Sequence, residues 1–227
     1  MLTLNNLSRS FKLQDGSDLK ILSDLNLSSS SGESIAIIGP SGSGKTTLLS
    51  LIAGLERPTS GQVIVDSLDL NQMSEKKLAR FRSSRIGIVF QQFHLMPHLN
   101  ALENVCLPLW LQKNPEAENL ARASLDSVGM SHRTSHHPWQ LSGGECQRVA
   151  IARAIVTSPA LILADEPTGN LDPENAKAIS DLLLNLSRVK NISLVIVTHS
   201  ISLANRCDKK LQLAHGKLQN AVDSALL

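Results

Sequence analysis

The sequence predicts an α/β fold, and three observations support this prediction. Short apolar runs alternate with stretches of helix-forming residues, as they do in proteins that wind a parallel sheet. A glycine-rich segment, GPSGSGKTT at residues 39–47, directly follows the apolar run 35–38. The chain has 227 residues, which is long enough for one domain with a substantial core. We therefore expect a single α/β domain.

Eight segments are predicted to be β-strands because each is a short apolar or alternating run bounded by turn residues. In chain order they are residues 2–7, 21–27, 34–38, 61–65, 86–90, 161–164, 193–198 and 210–213. The longest unbroken apolar run, 160–164, has five residues, whereas a membrane-spanning helix needs about 18 or more. The sequence therefore predicts that the chain does not cross a membrane by itself.

Seven further segments carry helix formers or apolar residues at spacings near three to four, which favours helices. They are residues 45–53, 75–81, 102–110, 116–128, 145–157, 173–187 and 201–205. The stretch 93–139 is mostly helical by this reasoning and holds both tryptophans and five of the seven histidines. We interpret it as a helical subdomain inserted into an α/β core that consists of residues 1–92 and 140–227.

The charge balance argues against nucleic acid as a partner. Twenty-two basic and 20 acidic residues give a net charge of +2, so the chain lacks the broad basic field on which such binding relies. The cysteines, Cys106, Cys146 and Cys207, have no metal-ligand spacing, and the first residues do not form a secretory signal. These features predict a reduced protein of the cytosol.

The glycine-rich segment is predicted to bind nucleotide phosphates. Its pattern Gly39-x-x-x-x-Gly44-Lys45-Thr46 lies between a strand and a helix, which is the setting of a phosphate-binding loop, or P-loop. Glycines allow positive φ and close approach, so backbone N–H groups can converge on phosphate oxygens at the helix start. We expect Lys45 to reach the β- and γ-phosphates and Thr46 to bind Mg²⁺. The residues predicted to hold the nucleotide are Gly39, Pro40, Ser41, Gly42, Ser43, Gly44, Lys45, Thr46 and Thr47.

An acidic pair closes one of the apolar strands, in LILADEP at residues 161–167. Such a strand would deliver Asp165 to the phosphate site as a carboxylate that organises Mg²⁺. Glu166, one residue further, is a candidate base for the water that attacks the phosphate. The two motifs together predict nucleotide hydrolysis.

A second phosphate-binding helix start is predicted in LSGGE, residues 141–145, where Ser142, Gly143 and Gly144 precede a helix. Because one nucleotide does not readily need two such starts on one chain, the pattern suggests a site shared between two chains. Here the sequence resembles the ATP-binding-cassette (ABC) family, whose signature is LSGGQ, over essentially its whole length. The resemblance implies a homodimer in which two cassettes pair head to tail. Each ATP then lies between the P-loop of one copy and Ser142 to Glu145 of the other.

The same resemblance implies a fold and further site residues. The fold is an ABC cassette with a RecA-like core, an antiparallel β subdomain and the inserted helical subdomain. Gln91, rather than its neighbour Gln92, would touch the Mg²⁺ or the water and link the site to a membrane partner. His199 would bond the γ-phosphate and hold the water, and Asp172 would lie at the dimer contact. Phe11 would stack on adenine, the alternative being a core position near a strand end.

A subfamily is also indicated. Glu145 in place of Gln, together with ADEPTGNLD and HLMPHLNALENVCLPL, resembles the group of LolD, MacB and YbbA, and the tail RCDKKLQLAHGKLQ is most similar to the YbbA type. This implies an ATP- and Mg²⁺-dependent ATPase, peripheral on the cytoplasmic face of the inner membrane. It would drive export or lipoprotein release through a separate permease with an extracytoplasmic domain. The alternative is an ATP-dependent regulator of a membrane complex that moves no cargo.

In the family a helix of the permease docks between the core and the helical insert, which corresponds here to residues 91–111. Phe93, Leu95 and Met96 precede Pro97, where no regular element is expected. We predict that they form part of an exposed apolar groove that receives the partner helix. Leu99 and Leu102 either belong to the same groove or pack the subdomain.

Overall fold

The computed structural model describes residues 1–221, so the end of the predicted domain, 222–227, lies outside the described residues. Within that part the strands are β1 (Leu2–Lys12), β2 (Asp18–Ser29), β3 (Ser34–Ile38), β4 (Ser60–Val65), β5 (Leu68–Asp69), β6 (Ile86–Val89), β7 (Leu161–Asp165), β8 (Ser193–Val197), β9 (Lys209–Ala214) and β10 (Lys217–Asn220). The helices are α1 (Lys45–Ile52), α2 (Glu75–Arg85), α3 (Ala101–Leu111), α4 (Ala117–Ser127), α5 (Gly143–Ile155), α6 (Pro173–Lys190) and α7 (Ile201–Ala204).

The larger sheet carries the strands that lead to the predicted motifs. Its order is β10-β9-β3-β8-β7-β6, and all neighbours pair in parallel except β10, which runs antiparallel to β9. The central strands are buried along almost their whole length, as their continuous apolar sequences require in a sheet covered on both faces. Because parallel strands end at one edge, the segments after β3, β6, β7 and β8 meet there.

The smaller sheet is antiparallel, in the order β2-β1-β4-β5. Its inward leucines and valines on β1, β2 and β4 share a core cluster with α1 and with one face of β3, β7 and β8. The antiparallel β subdomain that the family resemblance implied is therefore present. The register of β1 against β2 shifts between Leu4 and Ser10, and such bulges sharpen the bend of a long hairpin.

The helices α3 and α4 pack against each other and against α5. Their buried side chains join a core cluster that also contains the other face of β7 and β8 and parts of α5 and α6. The helical subdomain and the core thus share one apolar cluster. The interpretation of residues 93–139 as an insert did not predict this shared packing. The division at residues 93 and 139 stays a prediction.

All predicted strands and helices are present, with differences at their ends and with two strands that were not predicted. β5 has two residues and β10 is the polar sequence KLQN. Both exist because a neighbouring strand supplies the hydrogen-bond partners, for example between Leu218 and Leu213. Apolar periodicity does not predict such strands, since their side chains contribute little to a core.

Candidate nucleotide-hydrolysis site

A cleft of about 630 Å³ opens at the carboxyl edge of the larger sheet. The predicted residues that line it are Ser41, Gly42, Gly44, Lys45, Thr46, Thr47, Gln91, Asp165, Glu166 and His199. These residues come from four separate segments that follow β3, β6, β7 and β8. Pro40 and Ser43 face a second cleft of about 370 Å³, which shares Ser41 and Gly42 with the first. The structure therefore brings the P-loop, the acidic pair, Gln91 and His199 together.

Glycine is required at two positions of the P-loop for steric reasons. A Cβ on Gly39 would lie 2.3 Å from the carbonyl oxygen of Leu213, on β9. Gly44 has a φ of 98° at the N-cap of α1, and a Cβ there would meet the side chains of Ile21 and Leu22 at 2.9 Å. The loop thus holds its backbone close to its surroundings and ends at the start of α1, as a phosphate cradle requires.

The Lys45 side chain is buried inside the P-loop without a carboxylate partner among residues 1–221. Its Nζ donates to the carbonyl oxygens of Gly39 and Pro40, both at 2.9 Å, and lies 3.5 Å from Nε2 of His199. The hydroxyl oxygen of Ser43 is also buried and has no hydrogen-bond partner. A buried ammonium that contacts two main-chain oxygens and an imidazole nitrogen, with no carboxylate to neutralise it, has the charge to bind an incoming anion such as phosphate.

Two oxygen ligands that suit Mg²⁺ lie side by side in the lining of the cleft. The Thr46 hydroxyl donates to Oδ2 of Asp165 over 3.1 Å, because the start of α1 and the end of β7 are neighbours at this edge. Mg²⁺ prefers hydroxyl, carboxylate and phosphate oxygens in such sites. The donor set therefore fits the ion that the sequence predicted.

Glu166 is held in a strained turn directly after β7. Its φ is 46°, and its N–H donates to the carbonyl of Val197 at 2.9 Å. Oε2 accepts the backbone N–H of His199 at 3.1 Å. Oε1 lies 3.3 Å from Nε2 of His199, close enough for an ion pair if the imidazole is protonated, but the geometry makes no hydrogen bond. One oxygen of this carboxylate is thus fixed by a hydrogen bond, whereas the other is buried beside the His199 ring without a hydrogen-bond partner.

Gln91 pairs with a residue that the sequence analysis did not single out. Its Nε2 donates to Oδ1 of Asn170 at 3.0 Å, and Nδ2 of Asn170 donates to the Gln91 carbonyl at 3.1 Å. The Gln91 amide also lies over Gly169, where a Cβ would stand 2.9 Å from Nε2. Asn170 lies inside the segment ADEPTGNLD, so that segment was the available signal.

The signature residues lie outside the cleft. Ser142 is the N-cap of α5, and its hydroxyl oxygen accepts the N–H of Glu145 at 3.2 Å. The Glu145 carboxylate accepts the Ser142 N–H at 2.8 Å and the Arg133 Nε–H at 3.0 Å, and these bonds, those from Ser142 above all, lower its pKa. A Cβ on Gly144 would clash with the side chain of Asn175 at 2.5 Å. The helix start is therefore well ordered, but within one chain it serves no nucleotide in the cleft.

Asp172 and Phe11 also lie away from the lining of the cleft. Asp172 is the N-cap of α6 and accepts hydrogen bonds from Asn175 at 3.0 and 2.6 Å, which lower the pKa of its carboxyl. Phe11 is 38% exposed near the end of β1, with the Arg9 guanidinium 4.3 Å above its ring. The core position weighed for Phe11 is therefore wrong. Its stacking on adenine stays a prediction.

An apolar groove is present, but the residues predicted to form it do not line it. The groove has a volume of about 400 Å³ and lies between α2, β6, α3 and α5. Its apolar lining comes from Leu55, Ala79, Ile86, Ile88, Phe90, Leu107, Pro108, Leu111 and Ala154. The groove lies between the core and the helical subdomain, as predicted. Of the predicted docking segment 91–111, however, only Leu107, Pro108 and Leu111 line it.

The segment that precedes Pro97 does not line this groove, and two sets of contacts hold it in place. Arg153 donates to the carbonyls of Phe93 and His94 at 2.8 and 2.6 Å, and both residues have positive φ. Leu95 packs against the core cluster of the helical part. The prediction that Phe93, Leu95 and Met96 form the groove is therefore corrected. Leu102 packs against the same cluster, which agrees with the alternative that this residue packs the subdomain.

The comparisons with known proteins agree on one family. A family model described as ABC transporter matches residues 22–169. The lipoprotein-releasing system ATP-binding protein LolD of Colwellia psychrerythraea is 47% identical over 221 residues, which cover 96% of this chain and 85% of that protein. LolD of Coxiella burnetii is 48% identical over 203 residues, 88% of this chain and 87% of that one. These relatives agree with the subfamily resemblance and do not test the YbbA likeness of the tail.

Solved structures show the same architecture. The dimeric structure of MJ0796, a bacterial ABC transporter cassette, superposes with a TM-score of 0.88 at 38% identity and covers 97% of each chain. A dimeric post-hydrolysis state of that cassette, bound to ADP and Pi, gives 0.87 at the same identity, over 97% of this chain and 98% of that one. In residues 1–221 no helix is both long enough and apolar enough to span a membrane.

Proposed function

The chain belongs to the ABC transporter family and is an ATP-binding, ATP-hydrolysing cassette, and from that premise we propose that it powers lipoprotein release through a separate membrane permease. The cargo class rests on the relatives, whose names describe the ATP-binding protein of a lipoprotein-releasing system. The subunit would act as a homodimer on the cytoplasmic face of the inner membrane. The permease would carry the extracytoplasmic domain that the subfamily resemblance implies.

The observation that carries hydrolysis in this site is the position of Glu166. Its Oε2 is fixed by the N–H of His199, whereas Oε1 is buried without a hydrogen-bond partner beside the cleft. An oxygen in this state can accept a proton from the water that attacks the γ-phosphorus. The new bond forms between the water oxygen and that phosphorus, the bond to the β-phosphate oxygen breaks, and Glu166 takes the proton. His199 would hold the same water and the γ-phosphate.

We assign the binding roles by chemistry. Lys45 would exchange its two main-chain acceptors for the β- and γ-phosphates. Thr46 and Asp165 would hold Mg²⁺, with Gln91 as a further oxygen ligand at the mouth of the cleft. When bound, the ion would neutralise charge on the phosphates. Phe11 would stack on the adenine, with Arg9 already covering one face of its ring.

The signature residues would complete the site of a second copy. In this chain Ser142, Gly143 and Gly144 form a helix start that does not face its own cleft. The Ser142 oxygen accepts one bond from Glu145, which leaves its O–H free to donate to a γ-phosphate. Asp172, at the start of α6, would lie at the contact between copies. This arrangement explains why one chain carries two phosphate-binding helix starts.

The proposal is tested with the permease that co-purifies with this chain. The complex is reconstituted in liposomes that hold an acylated lipoprotein, and release of that lipoprotein to the aqueous phase is measured with and without ATP. Release that needs ATP, and that is lost when Lys45→Ala replaces the native subunit, supports the proposal. If ATP hydrolysis is stimulated by the permease and no lipoprotein leaves the membrane, the regulator without cargo is favoured instead.

A further inference from the structure

We propose that Arg133 is a positioning residue of the signature turn, which neutralises Glu145 so that the start of α5 accepts the phosphates of ATP bound to a second copy. The inference rests on the proposed function, because it takes this turn to complete the partner's site. It assigns a role to a residue of the helical subdomain, far along the chain from the P-loop.

The turn contains a built-in conflict of charge. Ser142 and Glu145 form a reciprocal capping box, in which the carboxylate accepts the Ser142 N–H at 2.8 Å. The box fixes the turn, but it places an ionised carboxylate within one helical turn of the N–H groups that would bind phosphate. The hydrogen bonds from Ser142 lower the pKa of Glu145, so the negative charge persists. That charge repels an incoming anion unless a cation compensates it.

Arg133 supplies the compensating cation. Its Nε donates to Oε1 of Glu145 at 3.0 Å, the oxygen that the capping box does not use. It is the ion-pair partner of Glu145 among the residues that the structure describes. The guanidinium also lies 3.1 Å from Nε2 of His136. The Arg133 guanidinium thus contacts the Glu145 carboxylate through Nε and the His136 ring through Nη1.

The backbone around Arg133 is anchored, so the cation is presented in a fixed place. The 3-10 turn that ends at Arg133 follows α4. The next residues bind the start of α3, where the N–H of Leu102 donates to Thr134 at 2.9 Å and that of Ala101 donates to His136 at 2.8 Å. A fixed guanidinium loses less side-chain entropy when it pairs than a free one on a helix surface does.

The family signature shows what an uncharged turn would need. With Gln in place of Glu145 the same capping box can form, since either side chain accepts the N-cap N–H. A neutral amide does not repel phosphate and needs no cation. The role proposed for Arg133 therefore depends on the charge of Glu145, and it should vanish when that charge is removed. A residue needed only for folding would not show this dependence.

The experiment measures ATP-driven dimerisation in a Glu166→Gln background, in which bound ATP is not hydrolysed. Sedimentation velocity with Mg²⁺ and ATP gives the dimer dissociation constant, and a fluorescent ATP analogue gives the affinity of the monomer's own P-loop. We expect Arg133→Gln to raise the dimer dissociation constant about tenfold without changing P-loop affinity or the melting temperature. Adding Glu145→Gln to that variant should restore dimerisation to within about twofold of the parent. Arg122→Gln, which breaks the exposed pair with Glu118 on α4, is the matched control and should have no effect.

The outcomes separate the inference from the proposed function. If the Glu166→Gln parent does not dimerise with ATP, the shared site is wrong and the inference falls with it. If the parent dimerises and Arg133→Gln dimerises equally well, the inference alone is overturned. It is also overturned if Arg133→Gln weakens P-loop binding or lowers the melting temperature, or if Glu145→Gln fails to restore the dimer, since each result makes Arg133 a residue of the fold.

Discussion

Gln91 and Asn170 exchange two hydrogen bonds across the mouth of the cleft, although they are 79 residues apart in the sequence. The pair ties the loop after β6 to the turn after the acidic pair, and so joins the segment that enters the helical subdomain to the segment that leads to α6. Two hydrogen bonds therefore connect these loops directly. The side-chain amide of Gln91 is held near the two residues proposed to bind Mg²⁺ by a contact that a single substitution removes.

Replacing Asn170 with alanine should slow hydrolysis while leaving ATP binding intact. The substitution removes both partners of Gln91 but touches no P-loop residue, so we expect kcat to fall about three- to tenfold with KM for ATP almost unchanged. Steady-state ATPase assays measure both constants. Asn119→Ala, which removes an exposed amide from α4, is the control. An unchanged kcat for Asn170→Ala would show that the pair does not position Gln91.

The substitution Glu166→Gln should abolish turnover and keep nucleotide binding. The amide preserves the shape of the side chain and its bond to the His199 N–H but cannot accept a proton. Loss of a general base typically costs about 100-fold or more in rate. Single-turnover phosphate release measures the chemical step, and gel filtration with ATP should reveal a trapped dimer. Turnover at the native rate would contradict the role of Glu166.

Lys45→Ala should act earlier, on binding itself. The ammonium is the charged donor of the P-loop, and removing a charge-assisted contact to phosphate should weaken ATP affinity about tenfold or more. Equilibrium binding of a fluorescent ATP analogue measures the change. Lys209→Ala, which breaks a surface pair with Glu33, should leave this affinity unaltered. Equal affinity for ATP in Lys45→Ala would count against the P-loop assignment.

A mixed dimer tests whether the site is shared. Ser142→Arg should block the phosphate position in the partner's site while its own P-loop still binds ATP, and Lys45→Ala should do the reverse. Mixing the two chains places both lesions in one composite site and leaves the other intact. A mixed dimer keeps one of its two sites, so we expect each mixed dimer to recover up to about half of the activity of a native dimer. A mixture no more active than either homodimer would mean that the sites are not shared or are obligatorily coupled.

The apolar groove should be the docking surface for the permease. Leu111 lines this groove and is 81% exposed, so Leu111→Asp should fold, bind ATP and lose co-purification with the permease. Leu95→Asp should instead destabilise the fold, because Leu95 packs on the core cluster. Val189→Asp, at a site 76% exposed on α6, is the control. Normal co-purification of Leu111→Asp would place the docking surface elsewhere.

A pH dependence of stability is expected at Asp208. Its Oδ2 accepts both the N–H and the hydroxyl of Ser34, at 2.8 and 2.7 Å, and these bonds lower the pKa of Asp208 below its ordinary value of 3.8. A lowered folded pKa stabilises the fold above the unfolded pKa, and this stabilisation is lost as the pH falls through the folded pKa. Because solvent screens this exposed carboxylate, Asp208→Asn should cost at most about 1 kcal/mol at neutral pH and less below about pH 3.8. Urea unfolding at both pH values measures this, and a pH-independent difference would contradict it.

Motifs made of consecutive residues could be predicted from the sequence. The P-loop, the acidic pair and the signature each combine side chains with a local strand or helix boundary, and the apolar runs marked β3, β7 and β8 correctly because those strands are buried on both faces. The meeting of the P-loop and the acidic pair at one edge also follows from the sequence, since parallel strands end on the same side of a sheet. The polar β10 and the two-residue β5 could not be predicted in this way.

Contacts between distant segments were decided only by the tertiary structure. No pattern in the sequence couples Gln91 to Asn170, directs Arg133 at Glu145, or draws the carbonyls of Phe93 and His94 onto Arg153. The sequence by itself determined the chemistry of the chain, because phosphate binding and proton transfer need certain residue types at fixed local spacings. The position of residues 93–96 outside the groove depended on the half-buried Arg153 guanidinium and the packing of Leu95, and such contacts exist only once the elements have come together.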